Sequence, residues 1–259
     1  MDDCLPKNDK FTFRIMDINC DAGESYGHWC IGDEANLFRW VRSVNIACGF
    51  HAGDPSHIQQ TILLAKQHKL RIGAHPGYPD LVGFGRRSLV MSFSDIESMV
   101  MYQVAALKGM VEANGSQLTH VKPHGALYTD SAVNPNIAQA IASAIYKISP
   151  ELILVGLAGS ISLEIAQEKG LVTLAEVFAD RSYESTGQLT SRSIEGSVLS
   201  EEQEIRNQVQ AFLSSKPIRS RTGEFIELKG QTICVHGDSH QAVQIAQWVW
   251  EEVHTVSPI

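Results

Sequence analysis

The chain has 259 residues, enough for one β/α barrel or two small domains. Hydrophobic residues make up 44% of it, which supplies a packed core and excludes a disordered chain. The 29 acidic residues outnumber the 21 basic ones for a net charge of -8, so nucleic acid is excluded as the main partner, while a local basic pocket for a small anion is not.

Apolar runs such as Leu152–Leu157 are far shorter than the roughly 20 residues of a membrane helix. Met1–Lys10 is polar and lacks the apolar core of a signal peptide. The five cysteines (Cys4, Cys20, Cys30, Cys48, Cys234) form no CxxC pair, so neither a disulfide framework nor a structural zinc is indicated. These features predict a reduced, cytoplasmic protein. Residues 1–12 read as a flexible extension of a single domain that spans 1–259.

The first strand is predicted at Phe13–Asn19 and leads into Asn19-Cys20-Asp21-Ala22-Gly23-Glu24. The second, Ser43–Ala47, leads into Cys48-Gly49-Phe50-His51. Asp54 then serves as an N-cap with Pro55 at the first helical position, and a helix runs to about His68 with Ile58, Ile62 and Ala65 on one face. A third strand, Arg71–Ala74, opens into His75-Pro76-Gly77-Tyr78-Pro79-Asp80. Ser94-Asp95-Ile96-Glu97 reads as a capping box for a helix that ends near Asn114, before Gly115. The fourth strand, Leu118–Lys122, carries His120-Val121-Lys122-Pro123-His124. Pro135 opens a helix, Leu152–Gly156 is a strand, and Ser160 opens the next helix. The strand Leu171–Val177 leads into Glu176–Arg181, and the polar segment Ser182–Ser200 reads as a long loop or short hairpin. Glu201–Ser214 is helical, Thr232–Val235 is the last strand, and Ser239 caps a final helix to about Glu252.

Most of these strands are nearly continuous apolar runs, as in parallel strands covered on both faces. Strand and helix alternate without a linker, which argues a parallel sheet, either closed into a barrel or open and doubly wound. The phosphate fingerprint of the open class is missing: Gly83-Phe84-Gly85 is followed by Arg86 and Arg87, and there is no GxxxxGK[ST]. In a parallel barrel the six polar clusters that follow successive strands meet at one rim.

A single histidine after a strand is ordinarily a local hydrogen-bond partner. His51, His75 and His124 with Asp21 at one rim form a ligand set for zinc, manganese or iron, assembled from separate strands because HExxH is absent. Lys122, Arg181, Arg86 and Arg87 either hold an anion or pair with Asp180, Glu176 or Asp80. Cys20 and Cys48 are either nucleophiles or packed thiols, packing being the commoner use. Tyr128 stands where it can cover the site. Asp54, His57, His68, His240, His254, Trp248 and Trp250 read as capping, surface or packing residues.

Several segments closely resemble signatures of the LamB/YcsF family, which comprises the A subunits of 5-oxoprolinase. They are Asn19–Glu24, Asn45–Pro55, Gly73–Asp80, Gly83–Arg87, His120–Tyr128, Phe178–Arg181 and Cys234–Asp238, in order from about Ile15 to the carboxyl end. The resemblance implies a distorted seven-stranded parallel β/α, TIM-like barrel of the glycoside hydrolase/deacetylase type. It also implies opening of the lactam ring of 5-oxoproline to L-glutamate with hydrolysis of ATP, in company with 5-oxoprolinase subunits B and C. Read with the resemblance, Asp21 or Asp238 is the general base and His75 or His236 its acid-base partner, with Lys122 and Arg181 on the substrate carboxylate or oxyanion. Glu24, His51, Arg86, His124 and Asp180 complete the substrate-binding set. A divalent metal would be held by Asp21, His51, His75 and His124. ATP is the co-substrate, bound on partner subunits or at an unconventional site, since no Walker-type loop is present. Ala22, Ser191 and Ser239-His240 depart from the family pattern without removing a candidate group. The alternatives are a stand-alone metal-dependent amide or N-acetyl hydrolase and a non-catalytic scaffold for a catalytic partner.

Overall fold

The computed structural model describes residues 16–256. The expected flexible extension at 1–12 and the first three residues of the expected first strand lie outside the described residues. Seven parallel strands close into a barrel in the order β1-β2-β3-β4-β5-β6-β9. Along the chain the elements are β1 (Asp17–Ala22), α1 (Glu34–Leu37), β2 (Ser43–Ala47), α2 (Pro55–Gln67), β3 (Arg71–His75), α3 (Phe93–Ala113), β4 (Leu118–Val121) and α4 (Gly125–Ser131). They continue as α5 (Pro135–Ile148), β5 (Ile153–Leu157), α6 (Ile161–Glu168), β6 (Thr173–Phe178), α7 (Glu202–Leu213), β7 (Ile218–Arg219), β8 (Phe225–Ile226), β9 (Thr232–Val235) and α8 (Ala242–Val256). β7 and β8 form a small antiparallel hairpin beside the barrel.

The open, doubly wound alternative is therefore excluded: β1 pairs with β2 on one side and β9 on the other. Outward-facing side chains such as Ile18, Cys20, Val44, Ile46, Val121 and Ile233 join the helices in one hydrophobic cluster. Burial of this layer is the main force that closes the barrel.

The inner face departs from the expectation of apolar strands on both sides. Asn19, Asn45, His120, Lys122, Glu176 and Thr232 are all buried inside. They survive burial because each is bonded. Asn19 Nδ2 donates to Glu176 Oε1 at 2.9 Å and to Thr232 Oγ1 at 2.8 Å. Asn45 Nδ2 donates to Asn19 Oδ1 at 2.8 Å and to Asp21 Oδ1 at 2.9 Å. A small apolar patch of Ile153, Val155 and Leu174 is the exception.

Two local readings are corrected. Among the described residues the first strand is Asp17–Ala22, which runs three residues past the expected end at Asn19 and moves Asp21 from the following loop onto the strand itself. The N-cap of α3 is Ser92, whose Oγ accepts from the Asp95 N–H at 3.2 Å. Glu97, expected to close a capping box, instead accepts from Lys147 of α5 at 2.8 Å and ties the two helices together. Asp54 caps α2 as expected, accepting from Ser56 and His57.

Candidate active site

The polar clusters converge at the carboxyl ends of the strands around a cleft of ≈ 500 Å³. Asp21, Glu24, His75, Arg86, Lys122, His124, Arg181, His236 and Asp238 line it. His51 and Asp180 stand directly behind this lining, His51 stacked on His124 with ring centroids 3.7 Å apart and Asp180 bonded to His236.

One group joins three imidazoles and a carboxylate. A nitrogen or oxygen from each of Glu24, His51, His75 and His124 lies within 4.8 Å of the others. The sequence alone points to Asp21 as the carboxylate of this set; the structure puts Glu24 there and groups Asp21 with Cys234 and His236, while Asp21 Oδ2 still lies 3.4 Å from His75 Nε2. His75 donates from Nδ1 to the Lys122 carbonyl at 2.7 Å, and His124 donates from Nε2 to the Phe84 carbonyl at 2.8 Å. These backbone bonds fix both tautomers, since a carbonyl can only accept. His75 Nε2 and His124 Nδ1 then face each other 3.0 Å apart. His75 Nε2 also lies 3.4 Å from Asp21 Oδ2, and His124 Nδ1 3.5 Å from Glu24 Oε1. Burial holds His51 and His124 well below the ordinary imidazole range, with the neighbouring His75 adding to the effect. Burial and the nearby charges of Asp21 and Asp238 push Glu24 well above the carboxylate range. The loop that brings Phe84 here needs Gly85, whose φ is 61° and where a Cβ would lie 2.7 Å from His51 Cβ.

A second group surrounds Lys122, which is 2% exposed. Its Nζ lies 2.9 Å from Asp21 Oδ1, 2.9 Å from Glu176 Oε1 and 3.0 Å from Cys234 Sγ. Burial opposes its charge, but Asp21, Cys234 and Glu176 overcome this and hold its pKa well above the usual value. Burial likewise opposes the Asp21 carboxylate, and His75 and Lys122 outweigh it to hold Asp21 well below its usual range. Lys122 lines the cleft, and its charge is paired there with Asp21 and with Glu176, the carboxylate of the pairing alternative. Tyr128 donates to Glu176 Oε2 at 2.8 Å, so it forms a wall of the site and supports that carboxylate.

A third group is a dyad. His236 Nδ1 donates to both oxygens of Asp180, at 2.9 and 3.1 Å, while its ring stacks on Phe178. Asp180 thus orients His236 rather than facing a ligand. Arg86 pairs with Asp238 at 2.5 Å, and Arg87 clamps Asp80. Arg181 donates from Nε to the Ser197 carbonyl at 3.0 Å and from a terminal nitrogen to the Thr190 carbonyl, which stitches down the loop that follows β6. Burial raises the thiols of Cys20 and Cys48, Cys48 to about 12, away from the reactive thiolate; Cys20 is buried in the core and Cys48 is half-buried against it.

Residues 16–257 match the model of the LamB/YcsF family. The chain belongs to the LamB/YcsF family. It is 49% identical over 236 residues to the 5-oxoprolinase A subunit of Bacillus thuringiensis subsp. konkukian, covering 91% of this chain and 93% of that protein. It is 47% identical to the 5-oxoprolinase A subunit of a Bacillus cereus strain, over 92% and 94% of the two chains. The crystal structure of a lactam utilization protein from Thermus thermophilus superposes with a TM-score of 0.87 at 38% identity, covering 93% of this chain and 96% of that one. Among the described residues, no helix is long and apolar enough to cross a membrane.

Proposed function

We propose that this chain is the ring-opening component of an ATP-dependent 5-oxoprolinase. With subunits B and C it converts 5-oxoproline to L-glutamate while ATP is hydrolysed to ADP and phosphate, the ATP being bound by the partners. The observation that carries this reading is the convergence of the Asp180–His236 dyad and the histidine group on a cleft of ≈ 500 Å³, in a chain 49% identical to a 5-oxoprolinase A subunit. That volume suits a small cyclic amide.

A lactam carbonyl is deactivated by amide resonance, and phosphorylation of its oxygen makes the carbon a better electrophile. Asp180 holds the Nδ1 proton of His236, which leaves Nε2 to take a proton from the attacking water and return it to the ring nitrogen as the C–N bond breaks; the acyl phosphate so formed is cleaved by a second water, which releases phosphate and leaves the γ-carboxylate of glutamate. Asp21 and Asp238 are paired, low-pKa carboxylates and poor bases by comparison; they fix Lys122 and Arg86.

Glu24, His51, His75 and His124 fit a divalent cation. Their donors are of the right type, two of the imidazoles give an N–H to backbone carbonyls, and their other ring nitrogens face one another. When bound, such an ion supplies Lewis-acid polarisation of the carbonyl. This same group favours the second reading, a stand-alone metal-dependent amide or N-acetyl hydrolase.

Glutamate release from 5-oxoproline distinguishes the two. The chain is assayed alone and with subunits B and C, each with and without ATP and divalent metal. Release that needs ATP and all three subunits supports the first reading. Chelator-sensitive, ATP-independent activity of the chain alone on N-acetyl substrates supports the second and rejects the first.

A further inference from the structure

The cleft carries more cations than carboxylates can explain. Arg86, Lys122, Arg181 and Arg192 all line it. Three of them are committed: Arg86 to Asp238, Lys122 to Asp21 and Glu176, and Arg181 to the carbonyls of Ser197 and Thr190. Arg192 makes no hydrogen bond or ion pair with any described residue. It feels the charges of Asp238, Asp180 and Asp21 at longer range. Each of those carboxylates already has a closer partner, in Arg86, His236 and Lys122 respectively. Arg86 adds a like charge nearby. A second positive charge held without a counter-ion at the mouth of a polar cleft is an arrangement that an anionic ligand completes.

The loop is anchored on both sides of Arg192, whose side chain is exposed at the cleft. On one side of Arg192 the Thr190 N–H donates to the Ser182 carbonyl at 3.0 Å, and the Thr190 carbonyl accepts from Arg181. On the other side the Ser182 N–H donates to the Ser197 carbonyl at 3.1 Å, and the Leu199 N–H donates to the Asp180 carbonyl at 2.8 Å. Between these anchors the tip Ser191-Arg192-Ser193 lines the cleft, with Leu189 and Phe178 as its apolar walls. A planar guanidinium presents two parallel N–H groups, which match a carboxylate.

We infer that Arg192 grips the carboxylate of the substrate and makes the cleft select an anionic lactam over a neutral one; this rests on the lactam-opening reading above. Arg181 is then a positioning residue that fastens the loop.

The test uses the full-length chain as wild type, Arg192→Gln and Arg192→Lys, both alone and reconstituted with subunits B and C. Calorimetric titration with 5-oxoproline and with its neutral carboxamide gives the preference for the charged ligand. The wild type is expected to prefer the carboxylate by about tenfold or more, the worth of one charge-assisted hydrogen bond. Arg192→Gln should erase that preference and leave carboxamide binding unchanged. Arg192→Lys should fall between, since it keeps the charge and loses the fork. In the reconstituted enzyme, Arg192→Gln should raise KM more than it lowers kcat. A preference that survives in Arg192→Gln overturns the assignment. If the wild type binds neither lactam and the mixture releases no glutamate, the lactam-opening reading itself has failed and takes this inference with it. That outcome is distinct, because in the former case the wild type still binds.

Discussion

Asp180 touches the cleft only through His236, and this sets what its replacement can do. An asparagine keeps the volume but removes the negative charge that stabilises a protonated imidazole, and it no longer fixes the tautomer. Asp180→Asn should lower kcat of the reconstituted enzyme by about 10²–10⁴ while its thermal midpoint stays close to wild type. Steady-state kinetics beside a thermal melt check this; wild-type kcat would remove the dyad from the reaction. Lys122 behaves oppositely, because its partners are structural. Lys122→Met strands the Asp21 and Glu176 carboxylates in the barrel, and breaking such a buried pair costs about 3–5 kcal/mol. Urea unfolding measures it. A loss below about 1 kcal/mol would show that water reaches these carboxylates and that the site is wetter than its burial implies.

The elements show why some of this is readable in the sequence and some is not. β2 and β9 fall where their β-branched runs do, because each is bounded by polar or glycine residues that stop the pairing. A reading of the sequence ends β1 too early, at Asn19, because the polar Asn19 and Asp21 interrupt its apolar run before Ala22. In that segment Ile18, Cys20 and Ala22 pack outward while Asn19 and Asp21 join the interior network. Polar–apolar alternation usually marks a strand with one wet face, and here the polar face is sealed inside a barrel. The rim clusters are legible because a parallel barrel gathers strand ends whatever their spacing. That Glu24 joins the histidine group is not, nor is Arg192, since both depend on how loops fold back over the rim. α1, α4 and the β7–β8 hairpin are too short to leave a periodic signal. Gly73 is a further element-scale device: β3 shifts register at Ile72/Gly73, and a Cβ there would lie 2.2 Å from His120 Nε2. His120 is held by Asn45 and Thr119, so it cannot move aside. Gly73→Ala should therefore destabilise the chain by about 1–3 kcal/mol in chemical denaturation. A neutral result would mean that the interior network is slack.

At the scale of the whole molecule, a barrel filled with hydrogen-bonded polar groups links stability to pH in a way that an aliphatic barrel would not. His120 lies at the centre of this interior, where burial, followed by the charges of Arg71 and Lys122, lowers its pKa from 6.5 to about 3. The unfolded chain therefore takes up a proton near pH 6.5, which the folded chain refuses until about pH 3. Between those values the unfolded state binds more protons, so stability falls as the pH falls, by up to about 1.4 kcal/mol per pH unit from this one ring. His51 and His124 are displaced in the same direction and add to the slope. Asp21, held below its usual range, adds its own loss only below the ordinary carboxylate pKa. Asp17, Glu24 and Glu34 work against the trend. Burial raises them, so the folded chain protonates them first and gains stability as the pH falls toward about 4. The wild-type curve is thus a difference between opposing groups, and only a paired comparison isolates one of them. Urea unfolding of wild type and His120→Gln at several pH values from about 7 to about 4 makes that comparison. The variant should be less stable at neutral pH, because the amide fits the Asn45–Thr119 bonds poorly, yet lose less stability on acidification. Parallel curves would mean that His120 titrates normally and that the barrel interior is open to water.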